Sequence, residues 1–134
     1  MNLEFLSDND RAKFALASIN EVIKDDEINN SSFLSYVKSL PATIVMNGLG
    51  QAIAMELASA TPNPNNGDKK AHQKIVDIIE TWLKKVKIFT DSDDLIHNIT
   101  NATQDKYILA QIETLEFLGW LKKLAQAKIE VNEN

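Results

Sequence analysis

The chain has 134 residues, of which 44% are hydrophobic and 25% charged, and its formal net charge is −5. This length and composition are typical of one globular domain with a core of its own. The absence of cysteine excludes a disulfide framework, a thiolate metal site and a cysteine nucleophile. No apolar run approaches the ~18 residues of a membrane span, and the first residues do not resemble a signal peptide, so we expect a cytoplasmic protein.

The first part of the chain predicts two helices. Ser7 is a suitable N-cap for a helix with apolar residues at three- and four-residue spacing, which should fade before Asn30. Ser31 or Ser32 is the expected N-cap of the second helix. Pro41 should end or kink this second helix, because proline lacks the backbone N–H that a helix interior needs.

The stretch TIVMNGLGQAIA (43–54) superficially resembles the start of a dinucleotide-binding unit. That fingerprint requires a small third residue, where this chain has Ile53, and a second strand, where this chain has a polar loop. We therefore interpret the stretch as a junction between two helices. Gly48 would supply a positive φ that ends the first helix, and Gly50 would let the next helix approach a neighbour closely.

Three further helices follow a proline- and asparagine-rich surface loop at 61–68. A strongly amphipathic helix is predicted near 69–88, a short one after an aspartate-rich turn, and the longest at about 104–129, capped by Asn101 or Thr103. No segment alternates as a strand would. We expect an all-α, single-domain bundle of about six helices over residues 1–134, ending in a flexible tail at 131–134.

Candidate catalytic and metal-binding residues are sparse. His72 and His97 have no metal-ligand spacing, so we assign both to structural or surface roles. The aspartates of 91–94 lack the glycine and glutamate of a calcium loop and are interpreted as helix-capping residues. Glu113 and Glu116 are interpreted as a solvated pair on one helix face. The sequence therefore predicts no enzyme activity, no metal site and no cofactor.

Two segments resemble a known family. YVKSLPATIVMNGLGQA (36–52) and LEFLGWLKKLA (115–125) are similar to the two most recognisable motifs of the small-subunit family of type III-B CRISPR effector (Cmr) complexes. The first matches a Lys-x-Leu-Pro segment running into Asn-Gly-Leu-Gly-Gln, and the second a closing Leu-x-Trp-Leu-Lys-Arg motif. Chain length, helical content and segment order agree as well.

The resemblance implies a non-catalytic helical subunit of an RNA-guided complex in antiviral defence. Several copies would stack along the backbone subunits that hold the CRISPR RNA and would line the groove where guide and target RNA pair. Target cleavage would belong to the neighbouring backbone subunit. The implied partners are the backbone and large subunits, the CRISPR RNA and its target, without a membrane.

Lysines are the candidate RNA-binding residues, because ammonium groups on long stems contact phosphates without reading bases. The alternative is an ordinary solvated face. The resemblance favours most strongly the lysine pair in the closing motif. One lysine just before the Leu-Pro segment and the lysines of the fourth helix are further candidates. The predicted contacts are Lys38, Lys70, Lys74, Lys84, Lys122 and Lys123.

The charge is unevenly distributed. Residues 3–28 hold seven acids and three bases, a net −4, whereas residues 68–88 hold six lysines and three acids, a net +3. We expect these charges not to cancel within one exposed face but to meet between stacked copies, the isolated chain being a monomer. Two alternatives remain: a helical protein–protein adaptor without RNA contact, and a small all-α enzyme.

Overall fold

The computed structural model describes residues 7–61 and 63–130. These residues form six helices and no strand, which confirms the all-α prediction. The helices are α1 (Asp8–Lys24), α2 (Asn30–Asn47), α3 (Leu49–Ala60), α4 (Gly67–Lys85), α5 (Leu95–Thr100) and α6 (Gln104–Lys128).

The first two helices begin with side-chain caps, one of them at an unexpected residue. Ser7 caps α1 as predicted, and its hydroxyl and backbone exchange hydrogen bonds with Asp10 in a capping box. The prediction of Ser31 or Ser32 as the cap of α2 is wrong. Asn29 has this role, because its side chain accepts a hydrogen bond of 2.9 Å from the Ser32 N–H.

Pro41 was expected to end or kink α2; it does not end the helix, which continues to Asn47. Proline removes one backbone hydrogen bond from the helix. The helix nevertheless buries Val37 and Leu40 before the proline and Ile44 after it. Burial of large aliphatic side chains contributes about 1.5–3 kcal/mol each, so tertiary packing outweighs the local preference.

The loop before α4 is shorter than predicted. The sequence indicated a surface loop at 61–68, whereas α4 begins at Gly67. The side chain of Asn66 accepts a hydrogen bond of 2.8 Å from the Lys69 N–H and so caps the helix at this earlier point. The predicted tail at 131–134 lies outside the described residues.

The core lies between α1, α2, α4 and α6, with α3 packed against α2 and α4. Helices α1 and α4 are antiparallel, because Glu21 of α1 pairs with Lys74 near the start of α4 while Phe14 contacts Trp82 near its end. Phe14, Trp82 and Phe117 form an aromatic cluster with ring centroids 5.2–5.8 Å apart. Such pairs add about 0.5–1.5 kcal/mol to the free energy of burial.

Beside this cluster, Glu113 is buried and accepts three hydrogen bonds, so its interpretation as a solvated residue is wrong. Its carboxylate accepts from the Arg11 Nε at 2.7 Å, from the Arg11 Nη2 at 2.8 Å and from the Trp82 indole N–H at 3.0 Å. The bidentate pairing raises the pKa of Arg11 further above its usual value. Glu116, in contrast, is exposed.

The junction between α2 and α3 confirms the interpretation of the two glycines. Gly48 has φ +87°, which L-residues with a side chain rarely adopt. Gly48 has no side chain to cap α3, and α6 provides the acceptors instead. The Leu49 N–H donates to the Gln111 Oε1 at 2.9 Å, and the Gly50 N–H donates to the Tyr107 hydroxyl at 2.8 Å. A Cβ on Gly50 would lie 3.4 Å from that hydroxyl.

The last two helices are capped by predicted residues. Thr103 caps α6 and Asp94 caps α5, where the Asp94 carboxylate accepts from the His97 N–H at 2.9 Å and lies 2.7 Å from the His97 Nδ1. These hydrogen bonds lower the pKa of Asp94, chiefly through the His97 backbone N–H. The hydrogen bond between the two side chains raises the pKa of His97.

Substitution of Gly48 tests the junction. Gly48→Val should lower the free energy of unfolding by about 1–3 kcal/mol, because a β-branched residue is strained at positive φ, and its Cβ would lie 3.0 Å from the Tyr107 hydroxyl. Gly119→Ala is the control, because Gly119 has helical surroundings and open space around its Cβ position. Urea unfolding measures both, and an equal stability of Gly48→Val and wild type would contradict the junction.

Substitution of Glu113 tests the buried ion pair. Glu113→Ala should destabilise the chain by about 3–5 kcal/mol, because the half-buried Arg11 guanidinium keeps only its longer contact to Asp8 and the buried Trp82 indole N–H loses its acceptor. Glu116→Ala, on the exposed face of the same helix, should change stability by no more than about 0.5 kcal/mol. In urea unfolding, the double variant Arg11→Ala/Glu113→Ala should lose less free energy of unfolding than the two single variants lose in sum. Additive losses would contradict the pairing.

The Asp94–His97 pair gives a prediction about pH. Asp94→Asn should lower the pKa of His97, because the variant keeps a helix cap but removes the carboxylate. Proton NMR titration of the two imidazoles measures this, with His97→Gln to assign the signals. Because the pKa of His97 is raised by folding, its contribution to stability is complete below the unfolded pKa and is lost as pH rises through the folded pKa. An unchanged titration would contradict the pairing.

Candidate nucleic-acid interface

The six predicted lysines fall into two groups in the structure. The three on α4 are half-buried and form ion pairs within the chain. Lys70 Nζ lies 2.9 Å from Glu27 Oε2, and Lys74 Nζ lies 3.1 Å from Glu21 Oε2. Lys84 Nζ lies 3.3 Å from Glu80 Oε2, one turn earlier on its own helix.

The first two of these pairs correct the expectation that the acidic and basic regions meet only between copies. The acidic end of α1 and the turn after it lie beside the start of α4 in the same molecule, because the two helices are antiparallel. Exposed ion pairs of this kind contribute about 0–1 kcal/mol each, so they contribute little to stability. They do, however, place one carboxylate next to Lys70 and another next to Lys74. A phosphate that approached this part of α4 would therefore meet negative as well as positive charge.

The second group consists of Lys38 on α2 and Lys122 and Lys123 on α6. None of the carboxylates in the described part of the chain forms an ion pair with these three lysines. Lys38 and Lys123 are exposed and Lys122 is half-buried. Lys38 is also the only charged residue within α2, so its surroundings on that helix are neutral.

Helix geometry places Lys38 and Lys122 at similar heights along the bundle. Helices α2 and α6 pack together, and the junction at the end of α2 contacts Gln111 and Tyr107 near the start of α6. Lys38 precedes the end of α2 by nine residues, and Lys122 follows Gln111 by eleven. At 1.5 Å per residue, both lie roughly 15 Å from the junction. We name Lys38, Lys122 and Lys123 the basic surface.

Lys123 differs from Lys122 in its surroundings, because consecutive helical residues point about 100° apart. Lys123 lines an open cavity of about 220 Å³ together with Gly119, Trp120 and the carboxylates of Asp8 and Glu116. Asp8 lies 3.3 Å from the Arg11 guanidinium, whose single charge is shared with the closer carboxylate of Glu113. The cavity is thus mixed in charge, with the indole of Trp120 as its apolar wall.

A second polar cluster joins α2, α3 and α4. The His72 imidazole stacks on the Tyr36 ring with centroids 3.8 Å apart, and its Nδ1 lies 2.5 Å from Glu56 Oε2. The Tyr36 hydroxyl donates to Asp68, which raises the pKa of Tyr36 and lowers the pKa of Asp68. These contacts hold three helices together, in agreement with the structural role predicted for His72.

Nothing in the sequence pattern singles out Arg11, and the pattern misplaces Glu113 on a solvated helix face. One signal was present: Glu113 lies three residues after Ala110 and four before Phe117, on the buried side of α6. Among residues 7–61 and 63–130, no three histidine, aspartate or glutamate side chains are arranged to hold a metal ion. In the same part of the chain, no helix combines the length and the apolar character needed to cross a bilayer.

A family model described as "CRISPR-associated protein (Cas_Cmr5)" matches residues 7–128, which include all six helices and both segments that resemble the Cmr small subunits. The match therefore covers the basic surface as well as the junction between α2 and α3. The chain belongs to the Cas_Cmr5 family, a family of CRISPR-associated Cmr small subunits.

Proposed function

We propose that the chain is a non-catalytic small subunit that stacks along the backbone subunits of a type III-B effector complex and lines the groove where guide and target RNA pair. The CRISPR RNA and target RNA are its nucleic-acid partners, and the isolated chain is a monomer. Within the complex it holds the RNA and leaves cleavage to a neighbouring subunit. Family membership supports the Cmr context of this proposal.

The observation that carries the RNA contact is the basic surface. Its three lysines form no ion pair with the described carboxylates, whereas Lys70, Lys74 and Lys84 each have one. A lysine that forms no ion pair within the chain can exchange a hydrated counter-ion for a phosphate without first breaking such a pair. Lys38, Lys122 and Lys123 are therefore the proposed phosphate contacts, and the α4 lysines are secondary.

The three lysines also suit a surface that must accept any guide. Contacts from lysine to phosphate position a nucleic acid but carry no information about its bases. Lys38 and Lys122 lie at similar heights on neighbouring helices, so a strand could pass across both helices. Lys123, beside the Trp120 indole, would extend this track along α6.

The adaptor without RNA contact is the second candidate function. It is favoured by the low charge of α2 and α3, which together hold only Lys38 and Glu56 as charged residues between positions 30 and 60. Glu56 is occupied by His72. A surface with so few charges is typical of the core of a protein–protein contact. The two functions differ in whether the basic surface contacts RNA.

The double variant Lys122→Glu/Lys123→Glu tests the RNA contact in the assembled Cmr complex. It should weaken retention of target RNA uniformly across sequences and leave incorporation of the subunit intact. The slope of log K against log salt should fall by about 0.7 for each lost contact to a single strand, or about 0.9 for a duplex. Filter binding at several salt concentrations measures the slope.

Lys13→Glu/Lys106→Glu is the matched control, because both lysines are exposed and the change in charge is the same. It should leave RNA retention close to wild type. If the Lys122/Lys123 variant fails to enter the complex, these lysines contact a neighbouring subunit, and the adaptor function is favoured. If neither retention nor incorporation changes, the lysines belong to an ordinary solvated face.

A further inference from the structure

The open cavity beside α6 brings together three kinds of chemical group. Its lining residues on this helix are Glu116, Gly119, Trp120 and Lys123, and Asp8 closes it from the start of α1. Residues three and four apart share one face of a helix, so the carboxylate, the indole and the ammonium group follow one another over two turns. The cavity therefore presents a hydrogen-bond acceptor, an aromatic wall and a cation in that order.

Gly119 leaves the middle of the cavity open. A Cβ at this position would meet no other atom within 4 Å, so no neighbouring side chain fills the space in front of it. The volume of about 220 Å³ lies below the roughly 300–1,000 Å³ of pockets that enclose a whole drug-sized ligand. The cavity therefore suits one planar ring placed against the Trp120 indole.

The two ends of the cavity on α6 carry opposite charge. Glu116 is exposed, and no cation of residues 7–61 and 63–130 forms an ion pair with it. Lys123 is exposed at the other end. The two residues are seven positions apart, which separates them by about 10 Å along the helix axis. A ligand that contacts both ends must therefore be anionic at one end and donate hydrogen bonds at the other.

A nucleotide has this combination of groups. Its phosphate pairs with a lysine, its base stacks on an indole, and the N–H groups of an unstacked base donate to a carboxylate. Guanine suits Glu116 best, because its ring N–H and its exocyclic amino group donate side by side to both oxygens of one carboxylate. An arginine side chain would also pair with Glu116 and stack on Trp120, but Lys123 would repel it.

We infer that this cavity binds one unpaired nucleotide of RNA, with guanine preferred, through stacking on Trp120, hydrogen bonds to Glu116 and a phosphate at Lys123. The base is unpaired, because pairing would occupy the edge that Glu116 contacts. The inference rests on the proposed function for the source of the nucleotide, which is the RNA held at the basic surface. The phosphate contacts of the basic surface remain indifferent to sequence, and the cavity adds a preference at one position.

An NMR titration of the isotope-labelled chain with guanosine monophosphate tests the inference. The chain has two tryptophans, so its spectrum contains two indole N–H signals, which Trp120→Phe assigns. The Trp120 signal should shift in a saturable way. The Trp82 signal should stay in place, because that indole is buried and donates to Glu113. Uridine monophosphate should bind more weakly, because uracil has one N–H donor, and ribose phosphate, without a base, should leave the Trp120 signal in place.

Glu116→Gln should weaken the binding of guanosine monophosphate about tenfold and remove its advantage over uridine monophosphate, because a bidentate contact to the base is lost. Asp105→Asn is the matched control, since it removes an exposed carboxylate from the same helix outside the cavity. This control should bind both nucleotides as wild type does. Both positions are exposed, so the melting temperatures of the two variants should match that of wild type.

A Trp120 signal that guanosine monophosphate does not shift would overturn the inference. Equal binding of the guanosine and uridine nucleotides by wild type would overturn it too, because Glu116 would then not contact the base. Tighter binding of arginine methyl ester than of guanosine monophosphate would also overturn it, and would assign the cavity to an arginine of a protein partner.

The assembled complex separates this inference from the proposed function. There, Glu116→Gln should leave the salt slope of RNA retention unchanged, because it removes no phosphate contact. If retention depends on Lys122 and Lys123 but nucleotides do not shift the Trp120 signal, the cavity inference alone fails. If guanosine monophosphate shifts the Trp120 signal but retention does not depend on the two lysines, the proposed RNA groove alone fails.

Discussion

The carboxylate of Glu113 is the interaction that unites the most distant parts of the chain. It accepts both hydrogen bonds of the Arg11 fork and one from the Trp82 indole, so it joins α1, α4 and α6 at one buried point. An isolated carboxylate would be costly to bury. Here three donors replace the lost water, and the aromatic cluster of Phe14, Trp82 and Phe117 excludes solvent from one side. The geometry of three donors around one acceptor is more specific than apolar packing alone, and it sets the relative heights of the three helices.

Those heights determine the electrostatics of the surface. With α1 held antiparallel to α4, Glu21 and Glu27 lie beside Lys74 and Lys70. The acidic and basic regions, which look segregated along the sequence, therefore neutralise one another within the molecule. Lys38 on α2 and the pair Lys122 and Lys123 on α6 lie outside this arrangement. A chain with a formal net charge of −5 thus retains a locally basic surface, and local potential determines what a surface attracts.

The sequence predicts the helices well because their local signals are strong. Ser7 before a periodic apolar segment and Gly48 after Asn47 each have one straightforward structural explanation, and both are confirmed. The cap of α2 was mispredicted because Asn29, Asn30, Ser31 and Ser32 are four consecutive residues of capping type. Helix α2 continues past Pro41 because residues before and after the proline are buried. Local helix propensity does not predict such burial.

The candidate site depends on contacts between residues far apart in the chain. The sequence alone does not show which distant residues meet. The pairing of Arg11 with Glu113 spans 102 residues, and α6 is apolar on so many sides that its pattern does not reveal which carboxylate is inside. The same is true of Lys70 and Lys74, whose partners on and after α1 become visible only once the helix directions are known. The motif residues were found by resemblance, but which lysines remain without a carboxylate is a property of the packed helices.

The junction between α2 and α3 fixes the position of α2 relative to α6. Gln111 and Tyr107 cap α3 and fix the end of α2 against the start of α6, so these two helices form one rigid pair. On this pair Lys38 and Lys122 each lie roughly 15 Å from the junction. The glycine pair therefore does more than reverse the chain: a side chain at Gly48 or Gly50 would press against the Tyr107 hydroxyl and shift α2, with Lys38, relative to α6, with Lys122.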